Sequence, residues 1–153
     1  MDILPHRHLT TLTLTGEFAK ITAIGATRAG HRGIAPVTGG TFVGERLSGR
    51  VIGGHDWVVT RADGTMALDV RLTLETDDGA TLYLAYTGSF LGSVDALKRF
   101  RSGEILDPGA YKLRTVARFE GGDERYRWLE DAIIVGVGEQ VRTGPIYHLF
   151  EVG

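Results

Sequence analysis

One stretch of the chain, Leu68–Thr76, alternates apolar and polar residues so that acid–base chemistry could fall on a single face. In a strand, successive side chains point to opposite sides, so Asp69, Arg71 and Glu75 share the face that the leucines avoid. A carboxylate beside a guanidinium can act as a general base next to a donor that stabilises an oxyanion. If this row lines a pocket, all three residues are candidate catalytic groups. If it faces water, they form surface ion pairs of small energetic value.

A second candidate site is the segment Gly53-Gly-His-Asp-Trp57. Its two glycines permit a bulge or tight corner, which would aim Asp56 inward as a further catalytic carboxylate and set Trp57 as a pocket wall. A carboxyl beside an aromatic ring is partly desolvated, which raises its pKa toward values useful for acid–base catalysis. In the structural alternative, Asp56 caps the turn through backbone amides while Trp57 packs in the core.

Further polar and aromatic residues could bind a substrate. Arginine offers paired donors that suit a carboxylate, phenolate or enolate oxygen, although a buried arginine can equally be held by an internal glutamate. Tyr86 could donate its hydroxyl or pack on a cross-strand neighbour, and Trp128 could form a pocket wall or belong to the core. The predicted substrate-binding residues are Arg46, Trp57, Tyr86, Arg114 and Trp128.

Motifs for cofactors or metals are sparse. His6 and His8 share a face if extended, and such a pair can begin a metal site, yet no third ligand follows at a recognisable spacing. The chain has no cysteine, which excludes disulfides and thiolate ligands. It also lacks a Gly-x-Ser-x-Gly elbow, a phosphate-binding loop and a dinucleotide-binding glycine fingerprint. We therefore expect neither a cofactor nor a metal.

Length and composition indicate one globular domain spanning residues 1–153. The net charge of −2 and the scattered arginines disfavour a nucleic-acid partner. No apolar run approaches the roughly 20 residues that cross a bilayer, so no membrane partner is expected. The N-terminal residues lack the apolar core of a signal peptide, and we expect a cytoplasmic protein.

Glycine spacing predicts the elements that position these residues. The 22 glycines flank short apolar runs, as in sandwiches and barrels. Asp63-Gly64 and Asp78-Gly79 lie between β-prone runs and predict hairpin turns. Ser93–Arg101 predicts the one helix, with Ser93 as its cap. Elsewhere we expect a weak strand over 17–24, glycine-rich turns over 30–40 with Pro36 at an edge, and a bent strand over 41–52. Together these signals predict an all-β fold, a single antiparallel meander β-barrel of about nine or ten strands.

Several segments in order resemble a bacterial and fungal family known as domain of unknown function 3237. The resemblance covers most of the chain from about residue 30 and implies a small meander barrel, often a homo-oligomer, without implying a function. The sequence departs from the family pattern at His55, where a small residue is expected, and at Glu130, where asparagine is expected. The matching segments are 39–42, 44–49, 53–57, 63–64, 68–71, 74–79, 114–115, 118–120 and 126–129.

Three classes of function follow. The first is a cofactor-independent enzyme (an isomerase, lyase or cyclase) that moves a proton next to a carbonyl of a small apolar or aromatic metabolite. Its base would be Asp56, Asp69 or Glu75, and its oxyanion donor Arg71 or Arg114. The second is a non-catalytic barrel that holds the same kind of ligand. The third is a structural module with a filled lumen. A homo-oligomer, most simply a dimer, is expected in each case.

Overall fold

Nine antiparallel strands form the protein, which is described here from a computed structural model covering residues 2–17, 20–141 and 144–153. One α-helix, α1 (Val94–Arg101), follows the sixth strand, and a 3-10 helix at Glu124–Asp131 follows the seventh. The strands are β1 (His6–Gly16), β2 (Thr22–Thr27), β3 (Gly30–Val43), β4 (Gly49–Thr60), β5 (Met66–Thr76), β6 (Thr81–Gly92), β7 (Tyr111–Gly121), β8 (Ile133–Val141) and β9 (Gly144–Val152).

Eight of these strands close into a barrel. Consecutive strands from β3 to β9 pair as antiparallel neighbours, and β1 pairs with β9 on one side and β3 on the other. The remaining strand, β2, pairs with the first residues of β3 outside the closed ring. Closure leaves the eight barrel strands paired on both sides, which confirms the predicted antiparallel meander barrel.

The predicted turns and helix are present. Gly64 and Gly79 both have φ of +90°, a conformation that glycine adopts without steric cost, at the β4–β5 and β5–β6 hairpins. The Ser93 hydroxyl accepts a bond from the Ala96 N–H at 3.0 Å, so it caps α1 as its sequence position predicts. Gly103 follows the helix with φ of +84°.

The stretch from residue 30 to residue 52 differs from its prediction. The expected turns over 30–40 are one continuous strand, β3. Its Pro36 lies between the part of β3 that pairs with β2 and the part that pairs with β1, where a missing N–H costs little. The expected bent strand over 41–52 is instead the end of β3, a turn over 44–48 and the start of β4. Ser48 Oγ closes the turn by donating to the Gly44 carbonyl at 2.7 Å. The weak strand expected over 17–24 falls partly outside the described residues, and β2 begins at Thr22.

Candidate functional site

The two ends of the lumen are filled differently. At the closed end, where β5 meets β6 and the 3-10 helix joins β7 to β8, large apolar side chains are at most 2% exposed: Phe42, Leu47, Leu72, Leu74, Leu82, Leu84, Phe119 and Leu129. At the open end, near α1 and the β4–β5 turn, several inward positions carry glycine or alanine. Small residues leave space that leucine or phenylalanine fills at the closed end.

That space is a cavity of about 510 Å³, within the usual range for small-molecule sites. A smaller cavity of about 40 Å³ continues from it and shares Asp56 and Tyr147. The lining of the main cavity is mostly apolar and small, with a few polar groups: Gly16, Ile21, Ala23, His31, Gly33, Ala35, Asp56, Val58, Thr60, Met66, Leu68, Phe100, Arg101, Gly103, Leu113, Gln140, Gly144, Pro145 and Tyr147.

A bulge in β4 turns Asp56 toward this cavity. Val51 pairs with Leu74 while Gly53 pairs with Thr73, so β4 contains one extra residue at this point. Since side chains alternate, a shift of one residue exchanges the faces of every later position. Val51 and Val58 both point inward although seven positions separate them, and Asp56 shares their face. The bulge at the paired glycines therefore turns Asp56 inward, whereas Trp57 takes the opposite face and does not line the cavity.

The Asp56 carboxyl is poorly solvated. Its pKa is raised to about 6, mainly by burial. A hydrogen bond from the Asp69 N–H to Asp56 Oδ1, 3.1 Å long, opposes this shift, and the nearby Asp69 carboxylate adds to it. Asp56 therefore lies in the cavity and accepts one backbone amide, which belongs to β5 and not to the turn that the structural alternative invoked. A carboxyl with this pKa exchanges its proton near neutral pH, as a general acid–base group requires.

Two tyrosines border the smaller inner cavity together with Asp56. Tyr86 and Tyr147 are 3% and 4% exposed, and their ring centroids are 5.2 Å apart. Burial raises the pKa of both phenols, and the Asp56 charge adds to each shift. Both hydroxyls therefore stay protonated. A hydrogen bond between them raises the pKa of Tyr86 and lowers that of Tyr147, the pattern expected when Tyr86 donates to Tyr147. Tyr86 was predicted either to donate its hydroxyl to a ligand or to pack on a neighbouring strand, and its ring packs on Tyr147 outside the lining of the main cavity. Tyr147 was not predicted, although its alternation with Leu149 in β9 indicates an inward position.

The mouth of the cavity carries three further polar residues. His31 is exposed and pairs in register with Thr60. Arg101, the last residue of α1, donates from Nη2 to Thr60 Oγ1. Gln140 donates from Nε2 to the Phe100 carbonyl at 2.9 Å. Arg101 and Gln140 were not predicted. Arg101 ends α1, and a helix end gives no sign of which part of the barrel it will cover, whereas Gln140 on β8 joins the site through its contact with that helix end.

The polar row of β5 lies on the outer surface, contrary to the pocket interpretation. Leu68, Val70, Leu72 and Leu74 are buried in the lumen, so the alternation sends the polar residues outward. The Asp69 and Arg71 side chains are 44% and 54% exposed and lie 3.9 Å apart, and Glu75 pairs with Arg50 at 3.0 Å. The placement of these predicted catalytic residues in a pocket was wrong, because the apolar face of β5 fills the barrel.

The other predicted binding residues also lie away from the cavity. Trp57 is half-buried on the outer face, with the Arg71 guanidinium 5.3 Å from its ring centroid. Arg46 pairs with Glu151 and covers the ring of Trp128 at 4.8 Å. Trp128 is partly buried against the closed end. Arg114 donates to the carbonyl of Leu113 at 3.0 Å and points outward. For Arg46, Trp57 and Trp128 the contacts are those of the structural alternatives, an ion pair and packing, whereas the contact of Arg114 is a backbone carbonyl.

The described residues give little support for a metal site. His6 and His8 both lie edge-on to Phe150, with ring centroids 5.8 and 5.7 Å from it. Within the described ranges, three or more histidine or acidic side chains never come together as a metal site would require. None of the helices described here is long and apolar enough to cross a membrane.

The fold and cavity define a class: small antiparallel barrels with a pocket at one end of the lumen. Within this class, the chain belongs to the family described as protein of unknown function (DUF3237), whose pattern matches residues 7–152. The resemblance noted in the sequence is thereby confirmed.

Relatives agree with this assignment. A UPF0311 protein of Rhodopseudomonas palustris is 36% identical over 125 residues, which are 81% of this chain and 82% of the relative. The crystal structure of a conserved protein of unknown function from Rhodopseudomonas palustris has a TM-score of 0.90 at 30% identity and covers 100% of both chains. A β-barrel-like protein from Acinetobacter baumannii has a TM-score of 0.85 at 32% identity, covering 100% of this chain and 98% of its own.

Proposed function

We propose that the protein is a cofactor-independent enzyme that moves a proton next to a carbonyl of a small, largely apolar metabolite. The observation that carries the proposal is the position of Asp56: a poorly solvated carboxyl in a mostly apolar cavity of about 510 Å³. In such a cavity a carboxylate is a stronger base than in water, because its charge is less well solvated.

In this reaction Asp56 is the general base and Tyr147 is the hydrogen-bond donor to the carbonyl oxygen. Asp56 Oδ takes a proton from the carbon beside the carbonyl, and the electrons of that C–H bond move to the carbonyl oxygen as an enolate. Tyr147 donates its O–H to that oxygen and stabilises the charge as it forms. The Asp56 carboxylic acid then returns the proton to another carbon, or to a leaving group during elimination. These two outcomes are an isomerisation and a lyase reaction.

Hydrogen–deuterium exchange tests this proposal without knowledge of the natural substrate. Aryl methyl ketones incubated with the protein in D₂O should lose their acetyl proton signal faster than in buffer, as followed by proton NMR. Asp56→Asn should reduce the protein-dependent rate by roughly 10²- to 10⁴-fold, the usual contribution of general base catalysis. Tyr147→Phe should reduce it less, because the base remains.

Glu75→Gln is the matched control, since it removes a carboxylate on the outer face of the next strand and should leave exchange unchanged. Equal exchange by the original protein and Asp56→Asn would contradict the proposal. Saturable binding without exchange would instead support the non-catalytic binder, which the cavity also accommodates. A filled structural barrel is the least supported class, because the open end of the lumen is hollow.

A further inference from the structure

Arg101 lies at the mouth of the cavity without an acidic partner among the residues that the structure describes. Its Nη2 donates to Thr60 Oγ1 and lies 3.6 Å from the Met66 sulfur. The ion pairs of the described chain do not include it. A guanidinium has five N–H donors, so these contacts leave most of its donors for a ligand.

Arg101 is the arginine that lines the cavity among the described residues, and its neighbour on α1 has different contacts. Arg99, on the same helix, binds Glu104 at 2.8 Å and lies 3.9 Å from Asp95. Arg101 instead turns toward the barrel, where partial burial lowers its pKa. Arg101 is exposed at the mouth and also borders the apolar cavity, so its remaining N–H donors can bind the anionic group of a ligand that enters there.

The Arg101 position is held by the residue before it. The Phe100 ring packs against Phe90 and Tyr111, with centroids 4.7 and 5.7 Å away. The Phe100 carbonyl accepts the Gln140 amide, and the Tyr111 hydroxyl accepts the Gln140 N–H at 3.1 Å. The end of α1 is therefore attached to β7 and β8, which fixes the origin of the Arg101 side chain at the mouth.

Asp56 marks the other end of the same cavity. Asp56 and Thr60 lie four residues apart on β4, which corresponds to about 13 Å along the strand. The wall between them is apolar, since Val58 on β4 and Met66 and Leu68 on β5 line it. The cavity thus places a cation at its mouth, a carboxyl deep inside, and hydrocarbon between the two.

From this arrangement we infer that the ligand is a small amphipathic organic acid, whose carboxylate binds Arg101 at the mouth while its apolar body reaches inward to Asp56. A monocarboxylate fits because a single arginine supplies two parallel N–H donors to two oxygens. Besides Arg101, the ionisable groups among the described lining residues are His31, Asp56 and Tyr147, a set that suits the single charge of a carboxylate better than a phosphate dianion. The reaction at the inner end rests on the proposed function, whereas the carboxylate contact does not.

Paired probes test the inference: 4′-acetylbiphenyl-4-carboxylate and the corresponding carboxamide, which have nearly the same shape and differ in charge. Isothermal titration calorimetry should show that the carboxylate binds roughly 10- to 100-fold more tightly, the range for a hydrogen-bonded charge. Arg101→Gln should remove this preference by weakening carboxylate binding, with amide binding unchanged. Arg101→Lys should retain part of it.

Arg99→Gln is the matched control, because it removes the same charge from the same helix without touching the cavity and should bind both probes normally. Equal affinity for the two probes, or no binding of the carboxylate, would overturn the inference. So would a carboxylate preference that survives in Arg101→Gln. Exchange of the acetyl protons of the same probe reports separately on Asp56: a preference that depends on Arg101, without exchange, would sustain the inference and contradict only the proposed enzyme activity.

Discussion

The closed and open ends of the barrel share strands, pairing and alternation, yet one is packed and the other is hollow. On β5, Leu72 and Leu74 fill the closed end, whereas Leu68 on the same face borders the cavity. On β3, Phe42 fills the closed end, whereas Gly33 and Ala35 line the hollow one. Side-chain volume at inward positions, not strand geometry, therefore decides where the barrel can hold a ligand.

The two ends should also divide stability and function between them. Packed leucines lose many contacts when truncated, because the surrounding side chains relax only partly into the space. Residues that border an existing cavity have fewer contacts to lose. The closed end thus stabilises the fold, while the open end tolerates a charged carboxyl and an unpaired guanidinium, which an apolar, fully packed lumen would not.

The largest expected effect comes from truncating one leucine at each end. Leu72→Ala should lower the free energy of unfolding by about 3–5 kcal/mol, whereas Leu68→Ala should lower it by about 2 kcal/mol. Both residues lie on the same face of β5 and undergo the same substitution. The difference between the two losses of stability therefore reports on packing alone. Urea unfolding followed by tryptophan fluorescence measures both. Equal losses would show that the open end is as tightly packed as the closed end.

Alternation and turn chemistry were enough to predict most of the strands. The hairpins at Gly64 and Gly79 and the Ser93 cap could be predicted because each depends on a few adjacent residues. The long strand β3 could not be predicted, because its glycines indicate turns locally and only pairing with three neighbouring strands makes it continuous.

The site was harder to predict than the fold. A period of two shows that Asp69, Arg71 and Glu75 share a face, but not whether that face is inside. The inward position of Asp56 depends on a bulge, and its effect on register is fixed only when β4 pairs with β5. Arg101 belongs to the site through the way α1 packs over the mouth, which is a tertiary contact without a local sequence signal.

An effect of intermediate size on the free energy of unfolding is expected from Asp56, the carboxyl group at the open end. The Asp56 pKa is about 6 in the folded protein and near 3.8 when unfolded. The folded state therefore binds more protons between these values, and its stability falls as pH rises from about 4 to about 6. The full shift in the Asp56 pKa corresponds to a loss of about 3 kcal/mol in the free energy of unfolding. Residual hydration of the half-buried carboxyl reduces this loss to about 1–2 kcal/mol.

Asp56→Asn removes the charge while its side-chain oxygen can still accept the Asp69 N–H. We expect this variant to be more stable by about 1–2 kcal/mol at pH 8 and to match the original protein near pH 4. Urea unfolding at a series of pH values gives the difference between the two curves, in which the contributions of other titrating groups cancel. A variant that is less stable at pH 8 would show that the Asp56 charge is well compensated in the fold.

The smallest effect is expected on the outer face, at Arg71. Its guanidinium is 54% exposed, 3.9 Å from the Asp69 carboxylate and 5.3 Å from the Trp57 ring centroid. Exposed pairs and cation–π contacts each contribute little in water. Arg71→Ala should therefore change the free energy of unfolding by less than about 1 kcal/mol and leave binding of 4′-acetylbiphenyl-4-carboxylate unaltered.

Arg46→Ala provides the comparison for Arg71, because Arg46 also covers a tryptophan and pairs with an acid but its side chain is only 30% exposed. Its loss should cost about 1–2 kcal/mol and should again leave probe binding intact, since Arg46 lies outside the cavity. Weaker probe binding in Arg71→Ala, at unchanged stability, would mean that the outer face of β5 contributes to recognition and that the division between a packed end, a hollow end and a solvated exterior is incomplete.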